Sequence, residues 1–282
     1  MMKRMIWTLA ICMGLIIPRL HANPQKDIKL TLVEKQVQDL SPDGLKLVFY
    51  VNLNNTSSDT YYLSGYNYQF LIGQDEYVNL SVPLEPGLQV PAVQDTMIAL
   101  PVKITYDLMF RAVPETADMD MIQCFIRGEL GFSDNRRERG RIPFSFSGEF
   151  PIFKEPQVKL NAVKVNTLTI GGADLEFDVT FFNPNTFELM VDAITYSVKI
   201  GGHSINNGRI RGDKNIPKQG EKEFSLPALI NFYEVGKDVY ALLQQDSASC
   251  IFNGEMQLRT VWGRMTLPYE FSDTAAIHTE DK

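Results

Sequence analysis

The chain has 282 residues, 44% of them hydrophobic, with 27 basic and 34 acidic side chains and a formal charge of −7. That acidity works against phosphate backbones and anionic headgroups, so nucleic acid is not an expected partner. Three cysteines and three histidines exclude a disulfide-dense scaffold and a histidine-rich metal site.

Lys3 and Arg4 precede an apolar run from Met5 to Ile17, which Pro18 and Arg19 close before Leu20-His21-Ala22. This order predicts a secretory signal peptide over residues 1–22, cut after a small residue. The run is too short to cross about 30 Å of hydrocarbon as a helix. Leu9-Ala10-Ile11-Cys12 imitates a lipobox, but Ile11 stands where a small residue belongs, so lipid anchoring is not expected. No later run is long and apolar enough to span a membrane. The mature chain is expected to be soluble and exported, periplasmic or secreted. Loss of Lys3, Arg4 and Arg19 with the signal takes the charge from −7 to −10.

The elements that follow are strands. Leu47, Phe49, Val51 and Leu53 alternate with polar positions and run into Asn55, and Tyr68-x-Phe70-x-Ile72-Gly73 comes next. Further alternation marks Met97–Ile104, which contains Leu100-Pro101, then Ile122–Leu130 and Ile142–Phe146. Period two is the pattern of a half-buried strand. Turn residues such as Ser41-Pro42-Asp43-Gly44 and Glu85-Pro86-Gly87 separate the runs. About seven short strands in roughly 120 residues predict an antiparallel β-sandwich of the Ig-like kind.

The same series then returns. Leu175, Phe177, Val179 and Phe181 run into Asn183 as Leu47 to Leu53 run into Asn55, and Tyr196-x-Val198-x-Ile200-Gly201 follows. Phe224-x-Leu226-Pro227 repeats Ile98-x-Leu100-Pro101, and Cys250-x-x-x-Gly254-Glu255 repeats Cys124-x-x-x-Gly128-Glu129. Blocks in one order with slowly drifting offsets predict two tandem domains, residues 27–150 and 156–273, followed by a polar tail over 274–282. Pro151 and Pro156 stiffen the connection and favour a defined angle. Phe232, Val235, Val239 and Leu242 or Leu243 recur at helical spacing, predicting a short helix, and the matching region 107–121, broken by Pro114, predicts a shorter one.

Cys124 and Cys250 sit at matching positions on apolar strand faces, so free buried thiols are expected rather than a bridge. His203 falls in a glycine loop and His278 in the tail, which assembles neither a catalytic triad nor a metal site. No glycine-rich loop joins a strand to a helix. No catalytic, cofactor-binding or metal residue is identified. Arg136, Arg137, Arg139 and Arg141 form the one basic concentration, read as a solvated hairpin tip and the candidate for a partner or anion contact. Arg211-Gly212-Asp213 is rejected as an adhesion motif.

These residues resemble the WHy domain (water stress and hypersensitive response) of the late-embryogenesis-abundant type 2 family. The resemblance rests on a strand entering Asn183-Pro184-Asn185, the Tyr-x-[Phe/Val]-x-Ile-Gly strand, a following Pro, and a strand ending Leu-Pro. It spans about Ile28 to Phe146 and Val158 to Phe271. The first copy departs at Asn55-Thr56-Ser57. The resemblance implies two tandem fibronectin-III-like sandwiches, no enzymatic activity, and a role in tolerating desiccation or cold. Read from the residues alone, Asn183, Pro184, Asn185 and Asn55 are strand terminators: Asn tolerates a left-handed backbone and bonds the chain two residues on, and Pro stops the ladder. Three functions remain open: shielding of client proteins or envelope components under stress, binding of lipid or another apolar ligand through the aromatics Tyr61, Tyr62, Tyr66, Tyr68, Phe181 and Phe182, and an envelope scaffold docking to a larger assembly.

Overall fold

The computed structural model describes residues 23–134 and 137–279. The expected signal peptide and Arg136 lie outside them. A one-turn helix, α1 (Pro24–Asp27), leads into seven strands: β1 (Ile28–Ser41), β2 (Gly44–Asn55), β3 (Tyr61–Ile72), β4 (Asp75–Val90), β5 (Gln94–Thr105), β6 (Met121–Asp134) and β7 (Arg137–Pro151). Seven more follow: β8 (Gln157–Leu168), β9 (Gly172–Asn183), β10 (Leu189–Ile200), β11 (His203–Ile216), β12 (Gly220–Asn231), β13 (Ser247–Thr260) and β14 (Gly263–Thr279). The fold is all-β with short helices.

In the first half, β1-β2-β5 form one sheet and β4-β3-β6-β7 another. The second half has the strand orders β8-β9-β12 and β11-β10-β13-β14, joined into one sheet where β14 runs parallel to β8. Alternation decides which face is buried. Leu47, Phe49, Val51 and Leu53 are fully buried, as are Leu175, Phe177, Val179 and Phe181. Rings lock the second sandwich: Phe177 of β9 meets Phe252 of β13 edge-on at 5.2 Å, and Phe181 meets Tyr269 of β14 at 6.2 Å. Pro101 and Pro227 stand on β5 and β12, outer strands of the β1-β2-β5 and β8-β9-β12 runs, where a missing N–H costs no ladder bond.

Three local readings change. Residues 274–279 are no polar tail: they continue β14, and Ala276–Thr279 pair with Ala162–Val165 of β8. Ala275 is buried and Ile277 packs on the core, a short apolar alternation that the flanking polar residues obscured. The helix over Phe232–Leu243 is two short helices, α3 (Phe232–Val235) and α4 (Lys237–Leu242), split where Gly236 takes φ +95°. The first half holds the longer single helix, α2 (Tyr106–Ala112), because Pro114 starts a separate 3-10 turn (Pro114–Asp118) rather than breaking α2 from within.

Candidate functional site

The two strand-terminating asparagines are built alike, atom for atom. Asn183 is fully buried at the end of β9. Its Nδ2 donates to the carbonyls of Phe187, Ile216 and Pro217 at 2.7, 3.4 and 3.1 Å, and its Oδ1 accepts from the Asn185 N–H at 3.0 Å. Asn55, at the end of β2, donates to the carbonyls of Asp59, Val90 and Pro91 at 2.8, 3.2 and 2.9 Å and accepts from the Ser57 N–H at 3.1 Å. The expected bond two residues on is present in both. Neither Asn takes the left-handed backbone; the amide instead ties three carbonyls that a strand end would leave without partners.

Two further pairs match. The Tyr68 hydroxyl donates to the Pro101 carbonyl at 2.6 Å, from β3 across to β5, and Tyr196 donates to Pro227 at 2.5 Å, from β10 to β12. Burial raises both phenols, Tyr68 to about 12. A Cβ on Gly128 would lie 2.0 Å from the Asn67 carbonyl oxygen, and one on Gly254 2.0 Å from that of Thr195, so both strands need glycine there. Cys124 and Cys250 are free and fully buried, and burial lifts each thiol to about 12.

Asn185 does something that sequence reasoning missed. It grips the connection between the halves: the Lys154 N–H donates to its Oδ1 and its Nδ2 donates to the Lys154 carbonyl, both at 2.7 Å. The first half holds the same segment from the other side. The Tyr106 hydroxyl of α2 donates to the Pro151 carbonyl at 2.9 Å and accepts from the Phe153 N–H at 3.1 Å. The Ile152 N–H donates to the Asp120 carbonyl at 2.9 Å, and Lys154 Nζ lies 2.7 Å from Asp120 Oδ1. Ile152 and Phe153 are buried. The connection is a clamped strut. Nothing local signals this, since Asn185 and Lys154 are 31 residues apart.

The described basic residues lie at and beyond the β6–β7 hairpin turn, where Asp134 pairs with Arg137. Arg137, Arg139 and Arg141 belong to β7, an outer strand of its sheet, where charged side chains discourage pairing with another chain. Arg141 is engaged by Glu138 at 3.0 Å and Glu129 at 3.5 Å. Arg139 is half-buried and Arg137 exposed. Of the aromatics, Tyr61, Tyr68 and Phe181 are core, and Tyr62, Tyr66 and Phe182 are half-buried. Among the described residues no group of three or more His, Cys, Asp or Glu is placed to hold a metal, and no helix is long and apolar enough to cross a membrane.

No curated protein matches the chain. Solved structures with a similar arrangement include a protein from Archaeoglobus fulgidus, 13% identical, covering 44% of this chain and 97% of its own, with a TM-score of 0.36. A solution structure from Arabidopsis thaliana is 18% identical and covers 51% of this chain and 92% of its own, with a TM-score of 0.38. Residues 178–272, from β9 to β14, match the family model described as late embryogenesis abundant protein, and this match supports the late-embryogenesis-abundant type 2 family for the second half of the chain.

Proposed function

We propose that the chain is an exported, non-catalytic protein of two tandem WHy-like modules that protects client proteins or envelope components under water stress. The observation that carries this reading is the paired asparagine site: each motif side chain is consumed by its own fold, leaving no donor or acceptor for a substrate. The family match over residues 178–272 supports a stress-related, non-enzymatic role. In this reading the clamped connection holds two modules at one spacing, so weak contacts by both add through effective concentration. The acidic surface keeps the protein off nucleic acid. The test is to dry or freeze a labile enzyme with the protein and with an equal mass of an inert protein. Greater recovery with this chain is expected; equal recovery defeats the proposal.

A second reading, contact with lipid or another apolar ligand, is favoured by one feature. Ile170, Leu229 and Tyr233 are 90%, 73% and 86% exposed around the β8–β9 turn, at the end of the second half away from the strut. Native mass spectrometry after mild extraction should then show co-purifying lipid, and consistently bare protein argues against it.

A further inference from the structure

The outer face of the sheet β4-β3-β6-β7 carries a groove of about 890 Å3. Its floor is a cross-strand pair without side chains, Gly65 of β3 opposite Gly131 of β6. Pro83 and Arg141 close the two ends of that row. Gly65 is required by the fold, because a Cβ there would lie 2.8 Å from the Val82 carbonyl oxygen. Gly131 is not. A Cβ on it would meet only Ser64 Oγ at 3.5 Å and the Gly65 oxygen at 3.6 Å, ordinary contacts. Glycine inside a strand weakens it, so an unforced glycine here marks a surface kept open.

The second half supplies an internal control. Its matching row is Ala193, Gln257 and Thr266. There Gln257 Oε1 accepts from Arg209 Nη2 at 3.3 Å, and Ala193 is buried. The sandwich therefore folds with this row covered.

We propose that the groove over Gly65 and Gly131 binds a neutral oligosaccharide. Tyr62 offers a ring at the wall, and amphipathic rings suit the apolar face of a pyranose. Asn67 and Ser133 offer an amide and a hydroxyl. Glu129 and Glu138 line the groove and each meets Arg141 through an exposed ion pair, so both bring carboxylate oxygens that can accept from sugar hydroxyls. Three carboxylates, Glu85, Glu129 and Glu138, beside one guanidinium, Arg141, disfavour an anionic ligand. An extended peptide adding by strand pairing is disfavoured too, because β3 and β6 are already paired on both sides.

The experiment is calorimetric titration of the full chain with neutral hexasaccharides of β-glucose, α-glucose, xylose, mannose and N-acetylglucosamine, beside hexagalacturonate and hexalysine. At least one neutral hexasaccharide should bind. Gly131→Val should weaken it at least about tenfold while leaving the melting temperature unchanged or raised, since valine favours a strand. Tyr62→Ala should weaken it as well. The proposal is overturned if no neutral hexasaccharide binds, if only hexalysine or hexagalacturonate binds, or if binding survives Gly131→Val.

Discussion

Lys154 and Asn185 exchange two hydrogen bonds of 2.7 Å, the side-chain amide of one residue replacing the backbone partner that the other would have in a sheet. Asn185 is almost wholly buried, and its Nδ2 also donates to Asn183 Oδ1 at 2.9 Å. Asn185, two residues past the end of β9, thus ties that end to the segment that precedes β8.

Asn185→Ala should cost about 2 kcal/mol, since it strands the Lys154 N–H and carbonyl in a part-buried site. Small-angle scattering should show a broader distribution of inter-domain distances. Ser57→Ala, at the matching position of the first half, touches no connection and should leave the distribution as it was. An unchanged profile for Asn185→Ala would mean that Tyr106 and Asp120 hold the strut without it.

Asn55→Ala and Asn183→Ala should be matched in effect. Each orphans three carbonyls at a strand end, and roughly 3 kcal/mol is expected for each, since a buried orphan costs about 1–3 kcal/mol and the outer carbonyls recover water. Urea denaturation of both variants checks this. A loss below about 0.5 kcal/mol in either would place it among ordinary surface changes and discard the structural reading of the motif.

Tyr68→Phe and Tyr196→Phe each delete one bond between strands that are not ladder neighbours, to Pro101 and Pro227. A loss of about 1 kcal/mol apiece is expected. Strongly unequal losses would show that the two halves use this tyrosine differently.

The thiols give a pH prediction. Burial raises Cys124 and Cys250 from the ordinary 9.0 to about 12. A folded-state value above the unfolded one means stability that is complete below about pH 9 and lost as pH rises through about 12. Tyr68 and Tyr106, raised from 10.0 to about 12, act in the same direction. The urea midpoint should therefore be flat near neutrality and fall between pH 9 and 12. At pH 8 neither thiol should react with a disulfide reagent until the chain is unfolded, and rapid labelling of the native protein would place them at the surface. Serine at either position should cost on the order of 1–3 kcal/mol unless its hydroxyl finds a partner.

Truncation after Asp273 separates a tail from a strand. It removes the pairing of Ala276–Thr279 with Ala162–Val165. The melting temperature should drop and hydrogen exchange at Val163 and Val165 should accelerate; no change in either would restore the view of residues 274–279 as a solvated end.

Much of this was legible in local pattern. The alternation of Leu47 to Leu53 and of Leu175 to Phe181 named buried residues correctly, because a strand with one wet face must repeat every two residues. The apolar surroundings of Cys124 and Cys250 likewise announced buried thiols. Helix boundaries were less legible, since Gly236 sits inside a helical spacing that is correct on both sides of it. The asparagine motif was half legible: its bond two residues on is local, but the three carbonyls that it ties arrive from other strands.

What the sequence by itself determined was the strand series, its recurrence and the core faces, all carried by residue type and spacing along one strand. Tertiary structure alone decided that Asn185 grips Lys154, that β14 lies beside β8, that Arg141 is held by Glu138 and Glu129, and that Gly65 stands opposite Gly131. Each of these is a matter of register between segments far apart in the chain. Register is set by the sum of cross-strand contacts over a whole sheet, and no single stretch of residues contains that sum.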